Sequence, residues 1–210
     1  MIKAILFDVD GTIINSEHIH RQAFNDLLKK YKISISKHQW TSAFVGRGSK
    51  YIATYIIQKH HLPEDIDVFV KKRKELFQKL IRKNPVQPVA GFMEFYTFLK
   101  KEKFKIAIAS SGQRSNILQS LSMIGIASIP IIDIGQVKHR KPHPEIFLKA
   151  AKKLHVKPSE CLVFEDSVVG IQAAKRAKMK VIALRTTMGL STLKKEKPTL
   201  IIQDYTTFLH

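Results

Sequence analysis

The chain has 210 residues, 44% of them hydrophobic, with 36 Lys and Arg against 17 Asp and Glu, a formal net charge of +19. That length gives one large domain or a core with a modest insert, and enough apolar side chains for a sizeable core. No apolar run is long enough to span a bilayer. The N-terminus lacks the layout of a secretory signal, and the single Cys161 excludes an intramolecular disulfide and a cysteine-based zinc cluster. Cys161 reads as a buried strand thiol, and a reducing, cytoplasmic setting is expected. The positive charge is spread out: residues 15–86 carry 15 Lys and Arg against 6 Asp and Glu, the rest 21 against 11. Spread charge suits attraction of anionic small molecules. No zinc-finger, glycine-aromatic RNA-binding or basic-zipper pattern is present, so nucleic acid is the less favoured partner.

The first predicted element is a strand over residues 3–8, ending in Asp8-Val9-Asp10-Gly11-Thr12. Residues i and i+2 of a strand point the same way, so Asp8 and Asp10 are expected to converge. Gly11 lets the backbone turn sharply. Two carboxylates ~4 Å apart repel by about 4 kcal/mol at an effective dielectric of 20, so the pair signals a bound cation or a shared proton. Apolar periodicity then predicts helices near 17–31, 37–44, 49–60 and 64–83, until Asn84-Pro85-Val86-Gln87-Pro88 breaks the pattern. From Gly91 helices and strands alternate. The expected order is helix 91–101, strand 104–109, helix 113–123, a short strand near 130–133, helix 144–154, strand 161–165, helix 167–177 and strand 180–184. A last strand near 199–202 and a short terminal helix close the chain.

That alternation predicts an α/β fold with a doubly wound parallel sheet. The all-helical stretch interrupts it and reads as an inserted cap domain, residues 15–86, on a core of residues 1–14 and 87–210. Parallel sheets place ligands at the carboxyl ends of their strands. Those ends carry Asp8 and Asp10, then Ser110-Ser111-Gly112, then Glu165-Asp166, with Lys141 in the loop 138–144. This set suits phosphoryl transfer. Asp8 is placed to attack phosphorus, and Asp10 to protonate the leaving oxygen and then activate water. Ser110 and nearby backbone N–H groups are placed to hold phosphate oxygens, and Lys141 to neutralise developing charge. The carboxylates would repel a phosphate dianion unless a hard cation such as Mg2+ offsets them. An EF-hand is excluded: counting from Asp8, the glycine is fourth and Ile19 twelfth, where that loop needs glycine sixth and Glu twelfth.

With those residues in that order, the chain resembles the haloacid dehalogenase superfamily, in the subfamily with a helical cap after the first strand. Asp8-Val9-Asp10-Gly11-Thr12 matches the first family motif and Ser110 the second. Lys141 with Pro142 and Pro144 matches the third, and Glu165-Asp166-Ser167 with Gly170 the fourth. The resemblance implies a Rossmann-like core, Mg2+ as cofactor, Asp8 as nucleophile and Asp10 as general acid/base. It implies metal ligation by Asp8, the Asp10 backbone carbonyl and Asp166, with Glu165 nearby. Asp10 argues for phosphate chemistry over dehalogenation, since true dehalogenases of the superfamily lack that second acid. A bacterial receiver domain is disfavoured because its acids precede the phosphoacceptor strand and it has no cap.

The cap of this subfamily reads the leaving group. Substrate contacts are therefore expected from Glu17, His20, Gly46, Arg47 and Lys50, with Ser111, Gly112 and Arg114 on the core side. Arg73 and Lys74 on the last cap helix are further candidates to face the cleft. The expected activity is a Mg2+-dependent phosphatase on a small phosphorylated metabolite, a sugar phosphate or phosphoglycolate. A beta-phosphoglucomutase-like mutase is the alternative, and a basic nucleic-acid-binding module is third. A monomer without membrane contact is expected.

Overall fold

The computed structural model describes residues 1–209. Six strands, β1 (Ala4–Phe7), β2 (Lys105–Ala109), β3 (Ile131–Ile132), β4 (Cys161–Glu165), β5 (Lys180–Leu184) and β6 (Leu200–Ile202), form one sheet in the order β3-β2-β1-β4-β5-β6. Every pairing is parallel. This is the Rossmann order, whose direction reverses between β1 and β4 and leaves a crevice at their carboxyl ends.

The order follows from composition. β1 reads Ala-Ile-Leu-Phe with all four residues buried, as a central strand covered on both faces must be. On one face Phe7 meets Phe92 edge-on at 5.5 Å and stacks on Phe164 at 5.1 Å, with Phe95 and Tyr205 completing an aromatic cluster. On the other, Ala4, Leu6 and Val163 pack under Ile146 and Phe147. The covering helices are α5 (Phe92–Lys101), α6 (Arg114–Met123), α7 (Glu145–Lys153), α8 (Val168–Arg176) and α9 (Leu190–Lys195), numbered after the four cap helices.

The cap helices are α1 (Glu17–Leu28), α2 (Lys37–Ala43), α3 (Ser49–Lys59) and α4 (Ile66–Lys83). Ser36 caps α2 by accepting from Gln39 N–H at 3.1 Å, and Asp65 caps α4 by accepting from Val68 N–H at 2.9 Å. The cap has its own core of Phe24, Leu28, Trp40, Phe44, Ile52 and Phe69. Its two connections run side by side. Val89 N–H donates to Ile13 O at 2.8 Å, and Asn15 N–H to Gln87 O at 3.0 Å.

Three details differ from expectation. α1 stops at Leu28, and a 3-10 turn over Lys29–Tyr31 ends at Lys32 with φ 57°, a left-handed stop that replaces the helix expected to residue 31. α9 was not anticipated, because six residues with Leu190 and Leu193 alone as apolar anchors give no readable period. The terminal element is a 3-10 turn over Tyr205–Phe208. Among the described residues no helix is long and apolar enough to cross a membrane.

Candidate active site

The carboxyl ends of β1, β2 and β4 are tied together by one lysine. Lys141 Nζ donates to Asp8 Oδ1 at 2.6 Å, to Glu165 Oε1 at 2.6 Å and to the Ala109 carbonyl at 3.0 Å. Its side chain is 1% exposed, so the ammonium group survives there only because two carboxylates compensate its desolvation. Burial pulls the Lys141 pKa down, but Asp8 and Glu165 outweigh it and raise the pKa above the ordinary value. Asp8 is pushed up to about 7, first by burial and then by Glu165 and Asp10, against the pull of Lys141.

Glu165 is fully engaged. Beyond Lys141, its Oε2 accepts from Asp166 N–H at 3.0 Å, Ser167 N–H at 2.9 Å and the Ser167 hydroxyl at 2.8 Å. Gly170, in the first turn of α8, leaves the space this carboxylate fills; a Cβ there would overlap Oε1, Cδ and Oε2. Ser167 also caps α8 by accepting from Gly170 N–H at 3.1 Å. Glu165 is thus the anchor of Lys141.

Asp166 is different. Its Oδ2 is buried and has no hydrogen-bond partner. Its pKa lies well above the ordinary value, mainly from burial and then from Glu165. Asp8, Glu165 and Asp166 each bring one oxygen within 4.8 Å of the others. An orphaned carboxylate oxygen beside the open lone pairs of Asp8 fits a hard, oxygen-ligated cation. Gly11, at φ +74°, keeps that spot clear: a Cβ would strike Asp166 Oδ2 and Thr187 Oγ1. The Asp10 carboxylate lies outside this trio.

Asp10 turns toward the cap. Its Oδ1 accepts from the Ser16 hydroxyl at 2.5 Å and meets His20 Nε2 at 2.8 Å. Burial opposes ionisation, but His20 and the two hydrogen bonds prevail and hold Asp10 down at about 2. The His20 ring lies flat on Phe77 at 4.1 Å, and its Nδ1 faces the Arg73 guanidinium. Arg73 is 3% exposed, packs over Phe24 and Phe77, and is pulled down to about 10 by burial. Glu17 accepts from Trp40 Nε1 at 2.6 Å and is pushed up to about 8, first by burial and then by Asp10.

These groups line one cleft between core and cap. Asp8, Asp10, Glu17, His20, Gly46, Ser110, Ser111 and Gly112 all face it, as does Arg73. Ser110 Oγ accepts from Gly112 N–H at 3.0 Å, which leaves the hydroxyl proton free to donate. Three expected contacts lie elsewhere. Lys50 pairs with Asp67 at 2.7 Å on the cap surface, and Arg47 stacks over Tyr51 at 4.9 Å beside a second cavity shared with Thr187 and Met188. Arg114 pairs with Asp133 at 3.2 Å. In each case a nearer partner takes the cation. The apolar wall of Phe24, Trp40, Phe44, Ile52 and Phe77 was not anticipated as cleft lining. Its periodic spacing reads equally as helix core, and no sequence signal separates the two.

The sequence matches the haloacid dehalogenase-like hydrolase family over residues 5–184. It is 35% identical over 187 residues to the bifunctional riboflavin kinase/FMN phosphatase of Arabidopsis thaliana, covering 86% of this chain and 48% of that protein. It is 31% identical over 204 residues to validoxylamine A 7'-phosphate phosphatase of Streptomyces hygroscopicus, covering 92% and 90%. The fold superposes on beta-phosphoglucomutase from Clostridium difficile with a TM-score of 0.87 at 27% identity, covering 99% of this chain and 93% of that one. The chain spans less than half the length of two plant relatives, 20% of one and 48% of the other. With the matched motifs converging at one sheet edge, the chain belongs to the haloacid dehalogenase-like hydrolase family.

Proposed function

We propose that this hydrolase is a Mg2+-dependent phosphoric monoester hydrolase acting on a small phosphorylated metabolite, with residues 15–86 serving as its cap domain. The observation that carries the reading is the Lys141 bridge between Asp8 and Glu165 beside the unpartnered oxygen of Asp166. Asp8 and Asp166 would hold the Mg2+. Bound there, it would offset the negative charge of the carboxylates and of the phosphate.

Asp8 attacks phosphorus, the P–O ester bond breaks, and the leaving oxygen takes a proton from Asp10. Water then attacks the aspartyl-phosphate while Asp10 takes its proton, which releases phosphate and restores Asp8. His20 and Ser16 hold the Asp10 pKa down at about 2, which favours the ionised state the second step needs. The first step needs its protonated form, and the arrival of a phosphate dianion favours that form by like-charge repulsion. Lys141 and Ser110 hold phosphate oxygens as charge builds.

Hydrolysis is favoured over mutase chemistry by the cap. Arg73 is the one Lys or Arg of the cap among the described cleft-lining residues, and its guanidinium already faces His20. The test is phosphate release from a panel of phosphorylated metabolites, with and without Mg2+, in wild type and Asp8→Asn. Mg2+-dependent release lost in the variant supports the reading. Turnover retained in Asp8→Asn, or conversion of glucose 1-phosphate without net phosphate release, overturns it.

A further inference from the structure

The edge of the sheet opposite the cleft is a concentrated cationic face. All six strands are parallel, so their first residues share that edge, and α5, α7, α8 and α9 each end there before the next strand begins. Lys3 and residues 100–105, 152–160, 175–180 and 194–197 bring fourteen lysines and Arg176 to these turns, against Glu102, Glu160 and Glu196. All fourteen lysines are exposed. Among the described residues the only ion pair on this face is Lys3–Glu160, at 2.6 Å.

The backbone carries a second, independent observation. The second residue after each of these four helix ends is left-handed: Lys103 at φ 57°, His155 at 54°, Lys178 at 58° and Lys197 at 50°. Glycine is the relaxed residue at such a stop, and α6 uses it, with Gly125 at φ 78°. An L side chain in this conformation costs roughly 1–2 kcal/mol. Part of the charge is explained by the helix ends, whose carbonyls favour cations; Lys105 Nζ, for example, donates to Leu154 O at 2.9 Å. Favourable end charges do not require lysine at the strained position itself, since the preceding turn already holds Lys100 and Lys101, Lys175, or Lys194 and Lys195.

We infer that this face binds the phosphodiester backbone of a nucleic-acid duplex, independently of the phosphatase reading. The strand starts of β2, β1, β4, β5 and β6 lie side by side at about 4.8 Å spacing, a row about 19 Å across. Duplex DNA presents a charge every ~1.7 Å of axis, so such a row spans on the order of ten phosphates. The helices meet this face end-on, so it offers no apolar helix side to lie in a bilayer, which sets an anionic membrane aside. Backbone contact needs no base-reading motif, so the absence of one in the sequence does not bear on it. The cleft lies at the far end of the strands and stays open to small molecules.

The test uses Lys103→Gly/Lys178→Gly/Lys197→Gly, which removes three cations while relaxing the backbone at each site. A matched cap variant, Lys32→Gly/Lys59→Ser/Lys71→Ser, has the same net charge. Binding to 20-base-pair DNA and RNA duplexes is followed by fluorescence anisotropy from 50 to 200 mM KCl, alongside flotation with phosphatidylserine vesicles. Wild type should bind duplex with an affinity that falls steeply with salt. The base variant should lose at least tenfold at 50 mM salt, and its slope of log affinity against log salt should be shallower by about 2.7. It should unfold no earlier than wild type and keep full phosphatase turnover, while the cap variant stays within threefold of wild-type binding. Equal loss in the two variants, no duplex binding at 50 mM salt, or vesicle binding without duplex binding overturns the inference. A preference between the DNA and RNA arms identifies the source of the backbone.

Discussion

Gly170→Ala sets helix propensity against packing, and the two predict opposite signs. Gly170 lies inside α8, where replacing glycine by alanine normally adds about 1 kcal/mol of stability. Its φ is not left-handed, so conformation makes no demand for glycine. Space does: the new methyl group would overlap the Glu165 carboxylate, which is 0% exposed and fixed by the four donors Lys141 Nζ, Asp166 N, Ser167 N and Ser167 Oγ. Displacing it breaks a buried ion pair, at about 3–5 kcal/mol. Offset by the propensity gain, a net loss of about 2–4 kcal/mol is expected. Lys141 also loses one of its two carboxylate anchors, so turnover should fall at least tenfold. Urea unfolding followed by circular dichroism, together with turnover of p-nitrophenyl phosphate, measures both effects. Glu165→Asp withdraws the carboxylate by one carbon and should recover part of the stability in the double variant. An unfolding midpoint at or above wild type for Gly170→Ala would refute the packing argument. Additivity of the two substitutions within about 0.5 kcal/mol would show that they do not meet.

Further outcomes follow from the same site. Asp166→Ala removes the carboxylate whose Oδ2 has no protein partner, so it should leave the fold intact and raise the Mg2+ concentration for half-maximal turnover at least tenfold; an unchanged metal titration counts against ligation. Lys141→Met leaves Asp8 and Glu165 buried without their cation and should cost about 3–5 kcal/mol in urea unfolding along with nearly all turnover. Glu17 is held protonated in the fold, with its pKa raised from 4.5 to about 8. Its contribution to stability is therefore complete below pH 4.5 and is lost as pH rises to about 8. Glu17→Gln, which keeps an acceptor for Trp40, should flatten the decline of stability across that window; an identical pH profile would place the titration elsewhere.

Much of this site was legible because it sits at strand ends. An apolar run followed by an acid, or by Ser-Ser-Gly, fixes both the element and the edge at which the side chain emerges, which is why Asp8, Ser110 and Glu165-Asp166 meet. Cations in turns are harder to place. Arg47, Lys50 and Arg114 have long side chains, and Tyr51, Asp67 and Asp133 happen to stand closer than the cleft. Asp10 shows the same limit on a short residue: it lies two positions beyond Asp8, the last residue of the expected strand, but pairing of the strand stops at Phe7, and the chain turns to hand Asp10 to Ser16 and His20. The apolar cleft wall was hidden for another reason, since Trp40 and Phe44 serve the cap core and the cleft at once.

The pairing of β1 has a consequence for synthesis. Ala4 pairs with Lys105 on one side and with Cys161 on the other. The central strand is thus made before both of its neighbours, and the second of them, β4, comes well after the first. At ~5–20 residues per second, residue 161 follows residue 4 by on the order of ten to thirty seconds. Until β2 is made Ala4–Phe7 has no partner strand, and from then until β4 one of its edges stays open, while the cap helices already have one another. A nascent chain stalled before β4 would carry an apolar strand in search of an edge, and that strand is the segment a ribosome-associated chaperone would have to shield.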